Sequence, residues 1–327
     1  MKATLVQASA ESPLDWARPD WSRVCGGKTR SSRPRAAARA PGPGFQKARL
    51  PSWSSFMATP PRLFDRDLHR RRLDRAAGAF ESANFLKQRA AADLVERLEA
   101  IVRDFPVAVD LGARDGSFAA ALAASPASAR VGLLIETDLS AAMLRPRSGR
   151  RVLLDEERLP FAEASLDLVV SSLALHWVND LPGALIQIRR ALKPDGLFLG
   201  AVLGGETLGE LRTALTQAEL EVLGGAGARI SPFLDGYDAV GLLQRAGFVL
   251  PVADLDRVTA RYPHPLKLLQ ELRAMGETSA FADRDGPKLT RAVLARAFEI
   301  YAERFAEADG RLPATFDIVT LTGWTPA

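Results

Sequence analysis

Beyond Pro60 the apolar residues fall into a helical rhythm. In "LFDRDLHRRRLDRAAGAF" (Leu63–Phe80) basic and apolar residues alternate, and in "NFLKQRAAADLVERLEAIV" (Asn84–Val102) apolar positions recur at helical spacing. The pattern then changes to short apolar runs separated by helical stretches. Val107–Asp110, Val131–Ile135, Leu166–Ser171 and Leu197–Val202 read as strands. Ser117–Ala124, a short stretch from Ser140, Leu181–Leu192 and Leu208–Leu223 read as the helices after them. Thr207 with Glu210 three residues on has the form of a capping box, and "KPDG" (Lys193–Gly196) carries turn residues. Short apolar strands alternating with helices predict a doubly wound α/β sheet, parallel and covered on both faces. Beyond residue 246, "GFVLPVADLD" reads as a strand. Pro265–Met275 and Pro287–Ala308 read as helices inserted over a substrate cleft. "ATFDIVTLTGW" (Ala314–Trp324) alternates, which predicts an edge strand with one wet face. The organisation expected is N-terminal helices over residues 57–104, a ligand-binding core over 105–205, and completion of the sheet over 206–327.

Charge alters the reading only at the front. Residues 1–56 hold ten Lys/Arg against three Asp/Glu, a net of +7, while the whole chain is +4, which leaves −3 for residues 57–327. The basic balance therefore belongs to the first segment, and the body gives no reason to expect nucleic-acid binding. That segment ("GGKTRSSRPRAAARAPGPG") is Pro/Ser/Arg-rich without sustained periodicity and is expected to be a disordered basic extension. A transit peptide is acid-poor from its start, whereas Glu11, Asp15 and Asp20 fall in the first twenty residues. The reading that fits is a start at Met57 with residues 1–56 upstream of it. Cys25 is the only cysteine, which excludes an internal disulfide or a thiolate metal cluster and points to a reducing compartment. With three histidines, no metal site is expected. No apolar run approaches the ~20 residues of a membrane span. The basic, partly amphipathic "RLFDRDLHRRRLDR" is read first as a solvated helix face, with contact to a protein or an anionic membrane surface as the alternative.

In a doubly wound sheet the ligand lies beyond the carboxyl ends of the strands. "VAVDLGARDG" (Val107–Gly116) follows the first strand: Gly112 and Gly116 permit a tight turn, and Asp110 can accept from an ammonium group. Asp138 ends the second strand, where a carboxylate can accept both hydroxyls of a ribose. Asp155 and Glu156, in "LLDEERLPF", are read as following a further, third strand that lies between Ile135 and Leu166, in place to accept from an adenine amino group, which makes Leu166–Ser171 the fourth. "SSLALHWV" (Ser171–Val178) follows the fourth and puts His176 and Trp177 near the reacting end of a ligand. Singly, each has a plain structural reading: a turn, a helix cap at Asp138, a solvated loop acid at Asp155, a core tryptophan, a satisfied histidine. Four in order after four successive strands make a constellation, and the glycines are not spaced as in a nicotinamide site.

With "LPFAEASLDLVVSSLALHW" (Leu159–Trp177) and "LKPDGLF" (Leu192–Phe198), the arrangement resembles class I S-adenosylmethionine-dependent methyltransferases of the small-molecule and lipid type. A narrower resemblance runs from Leu63 to Trp324. It is carried by "LFDRDLHRRRLDRAA", "HWVNDLPGAL" (His176–Leu185), "GGETLGELR" (Gly204–Arg212), "ISPF" (Ile230–Phe233) and "LLQRAGF" (Leu242–Phe248). It continues through Tyr262-Pro263, "MGE" (Met275–Glu277) and "PATFDIVTLTGW" (Pro313–Trp324). These look like the complex I assembly-factor methyltransferase-like family of alphaproteobacteria and mitochondria. The resemblance implies a Rossmann-like, mostly parallel seven-stranded sheet with an antiparallel C-terminal edge strand. It implies S-adenosylmethionine held by Asp110, Gly112, Ala113, Arg114, Gly116, Asp138, Leu139, Asp155, Glu156 and Ser172, with His176 and Trp177 as catalytic candidates. It further implies a complex I subunit or other protein as partner, with a cytoplasmic setting in a bacterium or the mitochondrial matrix in a eukaryote.

One departure stands out. The family loop "DLGCGxG" is here "DLGARDG", so Ala113 and Arg114 replace Cys and Gly. A side chain at 114 either crowds the methionyl part of the cofactor, reaches its carboxylate through a charge-assisted bond, or points to solvent while Ala113 packs. Three functions follow. One is methyl transfer to a protein or small acceptor, with His176 as base and Trp177 walling the methyl group. Another is arginine hydroxylation of the assembly-factor type. The third is a non-enzymatic assembly factor that keeps the cleft as a binding module.

Overall fold

Five strands share one direction: β2 (Phe105–Leu111), β3 (Val131–Asp138), β4 (Arg150–Leu153), β5 (Leu166–Ser172) and β6 (Leu192–Leu203). In the computed structural model, which describes residues 5–6, 62–146, 148–283 and 288–327, they form one sheet with β7 (Val249–Tyr262), β8 (Leu312–Trp324) and the dipeptide β1 (Leu5–Val6). The order across the sheet is β1-β7-β8-β6-β5-β2-β3-β4. The extension expected over residues 1–56 lies, apart from β1, outside the described residues. The helices are α1 (Arg66–Ala76), α2 (Phe85–Glu99), α3 (Ser117–Ala123), α4 (Ala141–Leu144), α5 (Leu181–Ala191), α6 (Gly209–Leu223), α7 (Gly236–Ala246), α8 (Pro265–Ala274) and α9 (Arg291–Phe305).

The period-two geometry of a strand sorts its side chains onto two faces. Along β5, Leu168 and Val170 enter one core with Leu94, Leu98 and Phe118 of α2 and α3. Val169 points to the other, among Leu185, Ile188 and Leu243 of α5 and α7. Both faces are covered, which is why the central strands read as unbroken apolar runs. Each fully buried leucine contributes about 1.5–3 kcal/mol of burial.

The last strand is antiparallel, as expected, but it lies inside the sheet. β8 pairs antiparallel with both β6 and β7, and outside it lies β7, which pairs with β1 at Ala253–Asp254 and whose Leu255, Arg257, Thr259 and Arg261 alternate outward beyond that pairing. The polar residues that suggested a wet face are answered by protein. Asp317 is 3% exposed and accepts from Arg257 Nε at 2.7 Å and Nη2 at 2.9 Å, and Thr320 Oγ1 donates to Asp93 at 3.0 Å. The capping box is corrected in the same way. α6 starts at Gly209 behind Leu208, whose φ is +56° and which makes no side-chain cap. Thr207 Oγ1 instead accepts from Asp317 N, and Glu210 accepts from Thr315 N at 3.2 Å and Oγ1 at 2.5 Å. Strand β8 draws both side chains away from the helix start.

Of the two inserted helices, α8 reaches the ligand end of the sheet, while α9 packs its Val293, Ala297 and Ile300 in the core against α6. The roof over the carboxyl ends comes from the front of the chain. Residues 63–65 run antiparallel to 280–282, with Asp65 N donating to Ala280 O and Ala282 N to Leu63 O. Asn179 ties this pair down by accepting from Phe64 N at 2.7 Å. No helix among the described residues is long and apolar enough to cross a membrane.

Candidate cofactor and acceptor site

The loop after β2 turns on three left-handed residues: Gly112 (φ +74°), Arg114 (φ +52°) and Gly116 (φ +72°). Only glycine fits at 112, because a Cβ there collides with Ala174 Cβ. At 114 a side chain is carried at a backbone cost of about 1–2 kcal/mol. Arg114 neither faces solvent nor stays free for a ligand's carboxylate. It is 2% exposed, and its backbone N and its Nη1 both donate to Asp138 Oδ2, at 2.9 and 2.8 Å. Asp138 Oδ1 accepts from Ser140 N at 2.8 Å. The carboxylate expected to receive a ribose thus holds three donors from its own chain. Ala113 is buried and donates its N–H to Thr137 O. Leu139 packs among Leu73, Phe80 and Met143.

Two further cations sit on the remaining acceptors. Lys87, 4% exposed, donates from Nζ to Gly112 O at 2.6 Å and to Ser172 O, close to buried Asp110. Burial pulls its pKa down to about 8 against the opposing pull of Asp110 and Asp138, so it is charged at neutral pH. Arg66, the first residue of α1, places Nη2 2.6 Å from Asp155 Oδ1, pairs with Glu156 and donates Nη1 to Trp177 O at 3.1 Å. Burial raises the Glu156 carboxyl, with Arg66 and Arg114 pulling the other way. Both cations are visible in the sequence as charges at core-facing helical positions. Lys87 stands in the buried stripe of α2 with Leu86, Ala90 and Leu94, and α1 turns inward through Leu68, His69 and Leu73. What the sequence does not contain is which acceptor each would meet.

His176 and Trp177 meet at a carboxylate. Trp177 Nε1 donates to Glu277 Oε2 at 2.9 Å, and His176 Nε2 lies 3.1 Å from the same oxygen. His69 stacks on Trp177 with ring centroids 4.4 Å apart, and neither of its ring nitrogens has a hydrogen-bond partner. Burial first, then Arg114 and Arg66, hold its pKa well below the ordinary histidine value, so it is neutral. Of these groups Glu277 alone reaches a small cavity of about 30 Å³, lined also by Phe80, Asn84, Lys87, Arg114 and Leu203 among others. Among the described residues no cluster of three or more His, Cys, Asp or Glu is arranged to hold a metal ion.

The donor set fits S-adenosylmethionine. Asp110 and the carbonyls of Gly112 and Ser172 can receive its ammonium, Asp138 its ribose, and Asp155 and Glu156 its adenine amino group. Glu156 Oε1 and Ser172 Oγ are buried without partners and remain as spare acceptors. The same conclusion comes from comparison. A family model described as "Methyltransferase domain" matches residues 109–200, which is β2 through most of β6. A solved methyltransferase-like protein from Bacillus halodurans overlays with a TM-score of 0.50 over 72% of this chain and 99% of its own, at 15% identity, and supports the fold alone. Fold and site define a class I methyltransferase-fold protein whose cofactor is S-adenosylmethionine.

The wider match is more particular. The Danio rerio protein named arginine-hydroxylase NDUFAF5, mitochondrial, is 40% identical over 84% of this chain and 87% of its own length. The Homo sapiens protein of the same name is 40% identical over 88% and 85%. A malonyl-[acyl-carrier protein] O-methyltransferase from Methylovorus is 35% identical over 81% and 90%. The chain belongs to the methyltransferase-fold family that contains the NDUFAF5 proteins.

Proposed function

We propose that the protein is an S-adenosylmethionine-dependent transferase that methylates an acceptor bound in the cavity beside Glu277. One observation carries this reading: the carboxyl ends of β5, β2, β3 and β4 present Ser172, Asp110 with Gly112, Asp138, and Asp155 with Glu156 in spatial order around one cleft. The bound cofactor supplies an electrophilic methyl group. The chain's own contribution is positioning. Gly112 and Gly116 bring backbone close to the ligand, and Trp177 and Phe64 close the roof with rings 5.1 Å apart, edge to face, excluding water. His176 keeps one buried ring nitrogen, Nδ1, without a hydrogen-bond partner.

Hydroxylation of an arginine side chain is the second reading, favoured by the names of relatives at 40% identity over most of both chains. A protein acceptor fits either chemistry, and the mitochondrial names of those relatives extend to the setting only as part of this proposal. The experiment is incubation with methyl-labelled cofactor and arginine-containing peptides, followed by mass spectrometry. Gain of a methyl group, lost in Gly112→Val, supports transfer. Gain of an oxygen moves the assignment to hydroxylation. Tight cofactor binding with no modified peptide leaves the cleft as a binding module in an assembly factor.

A further inference from the structure

Three charged side chains line the cavity, Lys87, Arg114 and Glu277, and their partners, like those of Arg66 outside it, are unequal. Lys87 is satisfied by two backbone carbonyls, and Arg114 by Asp138. Arg66, at the back of the roof, is satisfied by Asp155 and Glu156. Each of these three cations is therefore already matched to an acceptor of its own chain. Glu277 is matched on one side only. Oε2 takes both Trp177 Nε1 and His176 Nε2, while Oε1 makes no hydrogen bond among the described residues. The side chain keeps 16% of its surface exposed and lines the cavity.

We infer that Glu277 is the residue that reads the acceptor's charge: its Oε1 takes one end of a cationic head group, a guanidinium or ammonium carried on an apolar stem. Three features make this a selective site. The carboxylate is oriented before the ligand arrives, because two ring N–H groups on one oxygen fix its rotamer, with the indole N–H able only to donate. Charge-assisted bonds to an oriented carboxylate are the stronger kind. The walls beside it, Phe80, Leu173, Leu203 and Met275, are apolar and suit methylenes, while Arg114, already bonded to Asp138, supplies only a through-space opposing charge. An anionic acceptor such as a malonyl carboxylate would meet the Glu277 oxygen and no uncommitted cation, so the site discriminates against it. Trp177 and His176 become positioning residues for Glu277 rather than groups that touch the reacting atoms. This assignment rests on the cavity being the acceptor end of the proposed cofactor cleft.

The test uses the full chain with two probes of closely similar shape, N-acetyl-arginine amide and its citrulline counterpart, whose neutral urea exchanges one charged N–H group for a carbonyl, titrated by calorimetry with S-adenosylhomocysteine present and absent. The wild type is expected to bind the arginine probe at least tenfold more tightly than the citrulline probe, and not to bind malonate. Glu277→Gln, which keeps an acceptor for Trp177, is expected to erase that preference while S-adenosylhomocysteine binding stays within about twofold. Glu277→Asp should restore part of the preference. Equal affinity of the wild type for both probes, or an arginine preference that survives in Glu277→Gln, overturns the assignment. If the wild type fails to bind S-adenosylhomocysteine, the cofactor reading falls on its own, and the arginine-to-citrulline ratio still decides the role of Glu277.

Discussion

The guanidinium of Arg114 lies on the carboxylate of Asp138, Nη1 to Oδ2 at 2.8 Å, with both side chains at or below 2% exposure. It stands at the position where a ribose would be read. A ribose read by Asp138 would therefore exchange one set of donors on it for another.

Arg114→Gly is expected to bind S-adenosylhomocysteine about tenfold more tightly than the wild type, about 1.4 kcal/mol, because the ribose hydroxyls no longer compete with the guanidinium. Loss of a buried ion-pair partner costs about 3 kcal/mol or more, and relief of the left-handed backbone returns about 1 kcal/mol. The variant should thus be less stable by about 2 kcal/mol in urea. Calorimetry decides the role of the side chain: weaker binding by the variant would mean that the guanidinium swings onto the cofactor's carboxylate instead.

Arg66 is the tie between α1 and the adenine end of the cleft. Arg66→Met keeps the aliphatic stem but leaves Glu156, 1% exposed, without its cation. A destabilisation of about 3 kcal/mol is expected, with faster hydrogen exchange concentrated at Leu68–Leu73 of α1. Uniform exchange across the chain would show that the roof is held by its Phe64, Trp177 and Phe281 rings rather than by this ion pair.

His69 sets an acid limit. In the unfolded chain it takes a proton near its ordinary pKa of about 6.5, whereas in the fold burial holds it neutral to well below that value. Between the two values the unfolded state binds more protons, so stability falls as pH falls below about 6.5. The slope approaches about 1.4 kcal/mol per pH unit. His69→Phe, which preserves the stack on Trp177 and removes two unpartnered nitrogens, should flatten that slope between pH 6.5 and pH 5. Parallel urea-derived stability curves for wild type and variant would rule the explanation out.

Lys87 acts at the opposite end of the scale. Its pKa is lowered to about 8 in the fold from about 10.4 in an unfolded chain. Between these values the unfolded state again holds the extra proton, so stability rises as pH climbs from about 8 toward 10. Lys87→Met should lose this rise. A variant curve that keeps the alkaline gain would place its source in another group.

The sequence by itself determined the sheet and the ends of its strands, because burial on both faces writes apolar runs into β2, β5 and β6, and glycine was legible at 112, where a Cβ has no room. It also placed Asp110, Asp138, Asp155 and Glu156 in order at the strand ends, which is where a doubly wound sheet puts its cleft. Tertiary structure alone decided what those acids hold. Arg114 is 24 residues from Asp138, Lys87 is 85 from Ser172, and Arg66 is 89 from Asp155. No local spacing rule relates charges that far apart. The same holds for β8, whose Asp317 and Thr320 look solvent-facing until Arg257 and Asp93 are folded against them. It holds for Glu277, whose Trp177 and His176 partners lie 100 and 101 residues away. Periodicity records which side of an element is dry. Which polar groups meet in the dry interior depends on how the chain returns to it.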